Sequence, residues 1–432
     1  MVAGVRVGLT ICEDAWSPNG PINTQAAGGA ELVVNINASP YYAGRVHERE
    51  AMLATRAADA SVPVLYVNLV GGQDELVFDG ASMLFDESGR LMARARQFDE
   101  DLLVVDVDVR PAFRRRLLDP RGRSRANALP EVAVSEARIT DHQRQEPRTE
   151  PLLPPVQEVY EALVLGTRDY TRKNGFTDVL IALSGGIDSS LVAAIAVDAL
   201  GPERVVGVLM PSRYSSEGSV TDSDLLAANL GIRTVTVPIE AAHSAFLDML
   251  APTFEGTEPG LAEENLQARI RGTVIMTMSN KFGSLVLTTG NKSEMATGYS
   301  TLYGDMAGGF AVIKDIVKTL VYRLAYWRNE QSQVIPQRVI DRAPSAELAE
   351  GQVDQDTLPP YEVVDAVVER YMERDMSAEQ IASAGFDLAT VRRVVAMIQA
   401  NEYKRRQAPP GVRITPRSFG KDWRYPITSR FR

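Results

Sequence analysis

Cysteine is almost absent from this sequence: Cys12 is the single one among 432 residues. One thiol excludes an intramolecular disulfide and a cysteine-built zinc site, and it suits a reducing compartment. Lysine is missing from a long stretch, the first being Lys173. No run of about 18 apolar residues occurs, and the N-terminus lacks a charged region followed by a hydrophobic one, so no membrane span or leader is expected. Positive charge is in deficit. The formal net charge of −10 argues against nonspecific binding to nucleic acid or to an anionic membrane. A small anionic ligand is not excluded, because loops and helix ends bind phosphate within acidic proteins. What is present is ordinary for a soluble globular chain, 45% hydrophobic and 24% charged, and long enough for two domains. The expected location is the cytoplasm.

Residues 5–109 read as alternating strands and helices with a late hairpin. In "VRVGLTIC" Val5, Val7, Leu9 and Ile11 share a face, which predicts a strand. "ELVVNINAS" and "VPVLYVNLV" are β-branched runs of strand length, with the helical pattern "VHEREAMLATRAADA" between them. "GASMLFDESGRLMARA" predicts two strands around Ser88-Gly89, and "LLVVDVDV" a last alternating strand. Residues 110–155, rich in Arg, Pro and Gln without a sustained period, predict a linker. Beyond it, "DVLIAL", a helix from Ile187, "VVGVLM", the helical "VTDSDLLAANLG", "RTVTVPI", helices through 282 and "SLVLTTG" predict a parallel sheet covered by helices. Helices are expected at 313–331 and 361–402, followed by a basic tail from "YKRRQAPPG".

The stretch "ALSGGIDSSLVAA" (182–194) carries chemistry. Ser184-Gly185-Gly186 lets the backbone turn tightly after a buried strand and leaves its N–H groups uncovered. The helix from Ile187 adds unpaired N–H groups and a positive dipole end, so the combination is an anion site. No P-loop lysine follows. Instead Asp188 stands in the first helical turn, where a carboxylate beside phosphate makes sense as a magnesium ligand. The alternative is a plain N-terminal cap favoured by the dipole.

This loop resembles the pyrophosphate loop of the ATP pyrophosphatases that adenylate a substrate, a group that includes the GMP, asparagine and NAD synthetases. "ENLQARIRG" (264–272), "LTTGNKSEMATGYSTLYGDMAGGF" (287–310), "IKDIVKT" (313–319) and "APSAEL" (343–348) resemble the NAD synthetase blocks in order. The resemblance implies ATP and Mg2+ as cofactors. Leu183, Ser184, Gly185, Gly186, Ile187, Asp188, Ser189, Ser190, Thr289, Lys318 and Ser345 would bind ATP, with Asp188 and Glu294 holding the metal. Asn265, Arg269, Glu294 and Lys404 would contact deamido-NAD. Leu302 stands where many short, ammonia-using relatives carry a lysine, and "GYSTLYGD" has the form of the longer, glutamine-using ones.

"TICEDAW" (10–16) resembles the nucleophile motif of nitrilase-type glutaminases, with Cys12 as nucleophile, and "NASPYYAGR" (37–45) the block that contacts glutamine through Ser39 and Arg45. The resemblance covers the latter half of such a domain. Its general-base glutamate and oxyanion-stabilising lysine lie tens of residues upstream in the family, whereas eleven residues precede Cys12 here.

The chain is therefore expected to be α/β. Residues 1–112 form a partial nitrilase-like α-β-β-α sandwich, 113–155 a linker, and 156–432 a Rossmann-like, adenine-nucleotide α-hydrolase-like parallel sheet with helices on both faces. The implied activity is ATP-dependent amidation of deamido-NAD through an adenylate, with ammonia from glutamine. The alternatives are use of free ammonia alone, a related adenylating synthetase, or a nonenzymatic nucleotide-binding protein. Expected partners are deamido-NAD, ATP, and glutamine or ammonia, with no nucleic acid or membrane, in a homo-oligomer formed through the synthetase domain.

Overall fold

The structure, a computed structural model, describes residues 1–118, 129–136, 143, 145–345, 347–349 and 354–429. The chain divides into two compact units, one of Met1–Gly71 and Val77–Pro155, the other of Gly72–Leu76 and Val156–Arg432. Among the described residues no helix is long and apolar enough to cross a membrane.

The first unit contains β1 (Val7–Ile11), α1 (Pro21–Ala27), β2 (Leu32–Asn37), α2 (Arg45–Ala60) and β3 (Val64–Asn68). A short ribbon follows, β4 (Val70–Gln73) and β5 (Leu76–Asp79), then the hairpin β6 (Met83–Phe85) and β7 (Leu91–Arg94) and the helix α3 (Arg110–Leu118). The main sheet runs β1-β2-β3-β6-β7, parallel through β3 and antiparallel after it. Strand residues alternate between faces, so Val33, Val64, Tyr66, Met83 and Phe85 meet Ile22 and Ala26 of α1 and Leu53 and Ala57 of α2 in one core. The opposite parity points the other way. Leu9 and Ile11 pair with Val34 and Ile36 in register, and Leu9, Ile11 and Ile36 are 66%, 71% and 54% exposed.

Two expectations need correction here. "LLVVDVDV" forms no strand: alternation alone does not make one, and this stretch has no ladder partner among the described residues, which leaves Leu102 and Val104 exposed. The expected linker opens with α3, while its residues 119–128, 137–142 and 144 lie outside the described residues.

The second unit starts with α4 (Pro155–Lys173) and builds β8 (Val179–Ala182), α5 (Ile187–Leu200), β9 (Val205–Leu209), α6 (Glu217–Leu230) and β10 (Arg233–Thr236). Helices α7 (Glu240–Leu250) and α8 (Leu261–Phe282) lead into β11 (Leu285–Thr288), α9 (Lys292–Thr297), β12 (Phe310–Ala311) and α10 (Lys318–Gln331). The sheet order is β10-β9-β8-β11-β12, parallel throughout. β9 and β11 are buried at every residue, so the sheet is covered on both faces and its strands read as continuous apolar runs. Leu180, Val206 and Val286 face Ile270 and Ile275 of α8. The chain goes from β8 outward to β10 and then returns to place β11 on the other side of β8. That reversal opens a crevice at the carboxyl ends of β8 and β11.

The C-terminal part comprises α11 (Gln337–Asp341), α12 (Tyr361–Val368), α13 (Ala378–Ser383), α14 (Leu388–Ala400) and α15 (Glu402–Arg405). Here too the periodicity overreached. The expected helix 313–331 begins only at Lys318, because the turn before it binds the C-terminal segment: Lys314 Nζ donates to the Pro409 carbonyl at 2.6 Å, and Asp315 accepts the Ile414 and Thr415 N–H groups. The expected helix 361–402 is broken by a π-turn at Glu369–Glu373 and by new starts capped by Ser377 and Asp387.

A fully buried ammonium ties this part together. Lys292 Nζ lies 2.9 Å from Asp315, 3.0 Å from Glu373 and 2.6 Å from the Thr415 hydroxyl. Lys292→Met leaves the buried Asp315 and the half-buried Glu373 without their counter-charge and is expected to lower the stability of this unit by about 3–5 kcal/mol, read from the urea midpoint of its unfolding transition.

Candidate active site

The crevice between β8 and β11 receives the phosphate-type loop from one side. Leu183, at the end of β8, is buried, and its N–H bonds the Val208 carbonyl, which anchors the loop on the sheet. Gly185 has φ +75°, and a Cβ there would sit 2.5 Å from the Ser219 carbonyl oxygen, so only glycine fits. Gly186 is the N-cap of α5 and brings no side chain to satisfy it. The N–H groups of Ile187, Asp188 and Ser189 therefore begin a helix with no intrahelical acceptor. The hydroxyls of Ser189 and Ser190 donate back to the Gly186 carbonyl at 3.0 and 2.9 Å, and the Ser184 hydroxyl accepts the Gly186 N–H at 3.3 Å. These bonds hold the loop open around its N–H groups.

From the other side, Thr289 lies at the carboxyl end of β11, and α9 starts three residues later. Asn291 caps α9: its carbonyl oxygen accepts the Glu294 N–H at 3.0 Å, and Glu294 returns a bond to the Asn291 N–H at 3.1 Å. The same Asn291 side chain donates its amide to Asp188 Oδ1 at 3.0 Å. One buried amide thus fixes both acids. Lys318, the first residue of α10, completes the group: its ammonium is paired with Asp188 and lies 4.0 Å from Glu294. Burial pushes the Glu294 carboxyl well above the usual carboxylate range, and the Asp188 charge adds to that. Burial alone would lower Lys318, but the two carboxylates outweigh it and raise its pKa. The Lys318 ammonium also lies 5.5 Å from the Tyr361 ring centroid, and the Tyr361 hydroxyl donates to Asp354 at 2.7 Å.

The residues expected at the second substrate meet on one loop, 298–302, directly after α9. Asn265 accepts the Thr301 hydroxyl at 2.7 Å, the Arg269 guanidinium donates to the Leu302 carbonyl at 3.3 Å, and Lys404 donates to the Gly298 and Ser300 carbonyls at 2.6 and 2.8 Å. Asp305 accepts the Thr301 N–H at 2.8 Å, and crowding by surrounding protein pushes its carboxyl up to about 6. Ser345 sits in a different place. Its hydroxyl accepts the Glu347 N–H, and the Glu347 carboxylate takes the hydroxyls of Ser216 and Ser219, against which Gly185 packs.

In the first unit Cys12 follows β1 and opens a short 3-10 turn, Cys12–Ala15, at φ +45°. A non-glycine residue in that region is strained, and such strain clusters at functional positions. Arg45 stacks 4.0 Å over the Trp16 ring at the far end of this turn and pairs with Glu48. Ser39 is buried and donates its N–H to Asn68 at 2.9 Å. No hydrogen bond joins Cys12 to Ser39 or Arg45 among the described residues.

Asn291 and Asp305 were not singled out from the sequence. Both stand inside the conspicuous 287–310 block, and the Asn-x-x-Glu capping signature points at Asn291. At the loop itself, backbone strain of about 1–3 kcal/mol makes Gly185→Ala expected to weaken ATP binding at least about tenfold, measured by titration calorimetry.

Comparison with known proteins bears on both units. Residues 159–408 match the NAD synthase family model, and residues 1–112 match that of the carbon-nitrogen hydrolases. The glutamine-dependent NAD(+) synthetase of Thermotoga maritima is 51% identical over 436 residues, covering 100% of this chain and 76% of its own length. That of Aquifex aeolicus is 48% identical over 441 residues, with the same coverage. The solved glutamine-dependent NAD+ synthetase of Acinetobacter baumannii, in complex with ADP, is 40% identical with a TM-score of 0.68, over 99% of this chain and 73% of that one. The enzyme of Cytophaga hutchinsonii, 20% identical with a TM-score of 0.76 over 100% of this chain and 72% of that one, agrees in fold. With half the chain or more matched by one family model and full-length likeness to these enzymes, the chain belongs to the glutamine-dependent NAD(+) synthetase family.

Proposed function

We propose that this chain makes NAD from deamido-NAD by adenylating it and then amidating it. A nicotinate carboxylate oxygen attacks the α-phosphorus of ATP, and the bond to pyrophosphate breaks. Ammonia nitrogen then attacks the acyl carbon, the bond to AMP oxygen breaks, and the nitrogen loses a proton to solvent. The observation that carries this reading is the convergence of the glycine loop, Asp188, Glu294 and Lys318 at the sheet's reversal point. The loop N–H groups, with Ser184, Ser189 and Ser190, take phosphate oxygens; Thr289 and Ser345 border the nucleotide; Lys318 compensates charge that develops on the phosphates. Asn265, Arg269 and Lys404 grip the 298–302 loop and with it shape the dinucleotide end.

The donor set fits magnesium. Two carboxylates already share one cation, and Mg2+ characteristically takes one or two carboxylates with the remaining sites on phosphate and water. Asp188 and Glu294 would hold the ion, which when bound supplies Lewis-acid polarisation of the phosphates. In the same reading the single cysteine supports a reducing, cytoplasmic setting, and the resemblance supports a homo-oligomer, a dimer through the synthetase domain or a larger assembly.

The ammonia comes from glutamine, as the likeness to glutamine-dependent relatives and the carbon-nitrogen hydrolase match support, with Cys12 as the nucleophile of that hydrolysis.

Two measurements test the proposal. Asp188→Asn or Glu294→Gln is expected to lower NAD formation by at least about two orders of magnitude; pyrophosphate release at near-normal rate from either variant sinks the assignment. Supplied with ATP, magnesium and deamido-NAD, the chain is expected to form NAD from ammonium, and Cys12→Ala should leave the ammonium rate unchanged while abolishing synthesis driven by glutamine. Glutamine-driven synthesis that survives in Cys12→Ala would remove Cys12 as the nucleophile.

A further inference from the structure

We propose that Asp365 is a positioning residue of the adenylation site, fixing the helix that carries Glu294 and the helix that carries Lys318 in one register. The inference rests on the function proposed for this unit and adds to it a residue one shell away from the reacting atoms. Asp365 lies on α12, buried, and one oxygen accepts the hydroxyl of Ser293 while the other accepts the Thr319 N–H at 2.8 Å. The Ser293 oxygen in turn accepts the Lys318 N–H at 2.9 Å. One carboxylate therefore joins the residue before Glu294 to the first two N–H groups of α10.

Those two N–H groups need outside acceptors. α10 begins at Lys318 after Val317, whose side chain cannot cap it. Asp365 and Ser293 act as its N-cap from other helices, and the positive end of α10 favours the carboxylate. Burial raises the Asp365 carboxyl, and among the described residues no cationic side chain pairs with it. A buried carboxylate without a counter-charge is costly, so its donors, the Ser293 hydroxyl and the N–H and hydroxyl of Thr319, are what retain it. Tyr361 stands one turn earlier on α12, on the same side, with its ring toward the Lys318 ammonium. α12 thus holds Lys318 twice, by the backbone through Asp365 and by the side chain through Tyr361.

A shift of α10 relative to α9 moves the Lys318 ammonium against both Asp188 and Glu294. Asn265, Arg269 and Lys404 hold the 298–302 loop through bonds that do not involve Asp365, so the dinucleotide end depends on it less than Lys318 does. This asymmetry gives a signature that a purely structural cap lacks.

The test compares Asp365→Ala, Asp365→Asn and Ser293→Ala in the full chain with ammonium as nitrogen source. Misplacing Lys318 is expected to lower kcat at least about tenfold in Asp365→Ala and raise KM for ATP about fivefold, with KM for deamido-NAD within about twofold. Asp365→Asn keeps an acceptor for Thr319 and should return to within about threefold of the wild-type kcat. A lower Tm with unchanged kcat and ATP affinity overturns the proposal, as does an equal rise of both KM values. If Asp365→Ala does not fold, Ser293→Ala decides: weaker ATP binding supports the relay, and wild-type affinity overturns it. Calorimetric titration with ATP separates this inference from the functional reading. A wild-type chain that binds ATP but makes no NAD removes the functional reading, while Asp365 stands or falls on whether its variants bind ATP less tightly.

Discussion

One ammonium shared by two carboxylates is the constraint on which the synthetase unit is built. Asp188 and Glu294 belong to helices that start on opposite sides of the sheet's reversal point, and left alone they would repel across the crevice. Lys318 removes that conflict by pairing with Asp188 while lying 4.0 Å from Glu294. The balance is incomplete, since the Glu294 carboxyl remains well above its usual range. Two acids around one ammonium, beside a row of bare helix N–H groups, are prepared for two opposite charges at once. The site can take cationic metal at the acids and anionic phosphate at the loop.

Holding three charged side chains in such a place requires rigid support, because each buried charge resists being there. The support comes from residues far apart in sequence. Asn291 bonds both acids, Lys292 is locked among Asp315, Glu373 and Thr415, and Ser293 leads through Asp365 to the start of α10. Three consecutive residues at the mouth of α9 thus make three separate buried connections. The C-terminal helices are therefore part of the site's frame as well as its cover.

This explains what was legible in the sequence and what was not. The strands of the parallel sheet and the glycine loop were readable because their causes are local: a short apolar run, a turn that only glycine allows at Gly185, a helix start beside it. Asp188 and Glu294 were singled out by residue type and motif, and the structure brings both to Lys318. Asn291 was within reach through its capping signature, but Asp365 was not, because nothing in "YEVVDAVVER" shows that its carboxylate meets Ser293 and Thr319. The misreadings have the same origin. Alternation in "LLVVDVDV" lacked a neighbouring strand, and the apolar period across 361–402 continued through the breaks that Ser377 and Asp387 impose.

The two units differ in how their sheets are covered. In the synthetase unit β9 and β11 are buried at every residue, and each charged group of the site has a named partner. In the first unit, α1 and α2 seal one face of the sheet while Leu9, Ile11 and Ile36 stand bare on the other. Cys12 sits at the end of that bare strand in a strained conformation, and strain of this kind persists only where surrounding structure over-determines it. Here the determinants are a short turn, with Asp14 accepting the Ile11 N–H at 2.8 Å and Trp16 held under Arg45. Those contacts keep the thiol's backbone in place at the end of β1. Geometry at a nucleophile and activation of it are separate requirements, and the contacts around Cys12 serve the first.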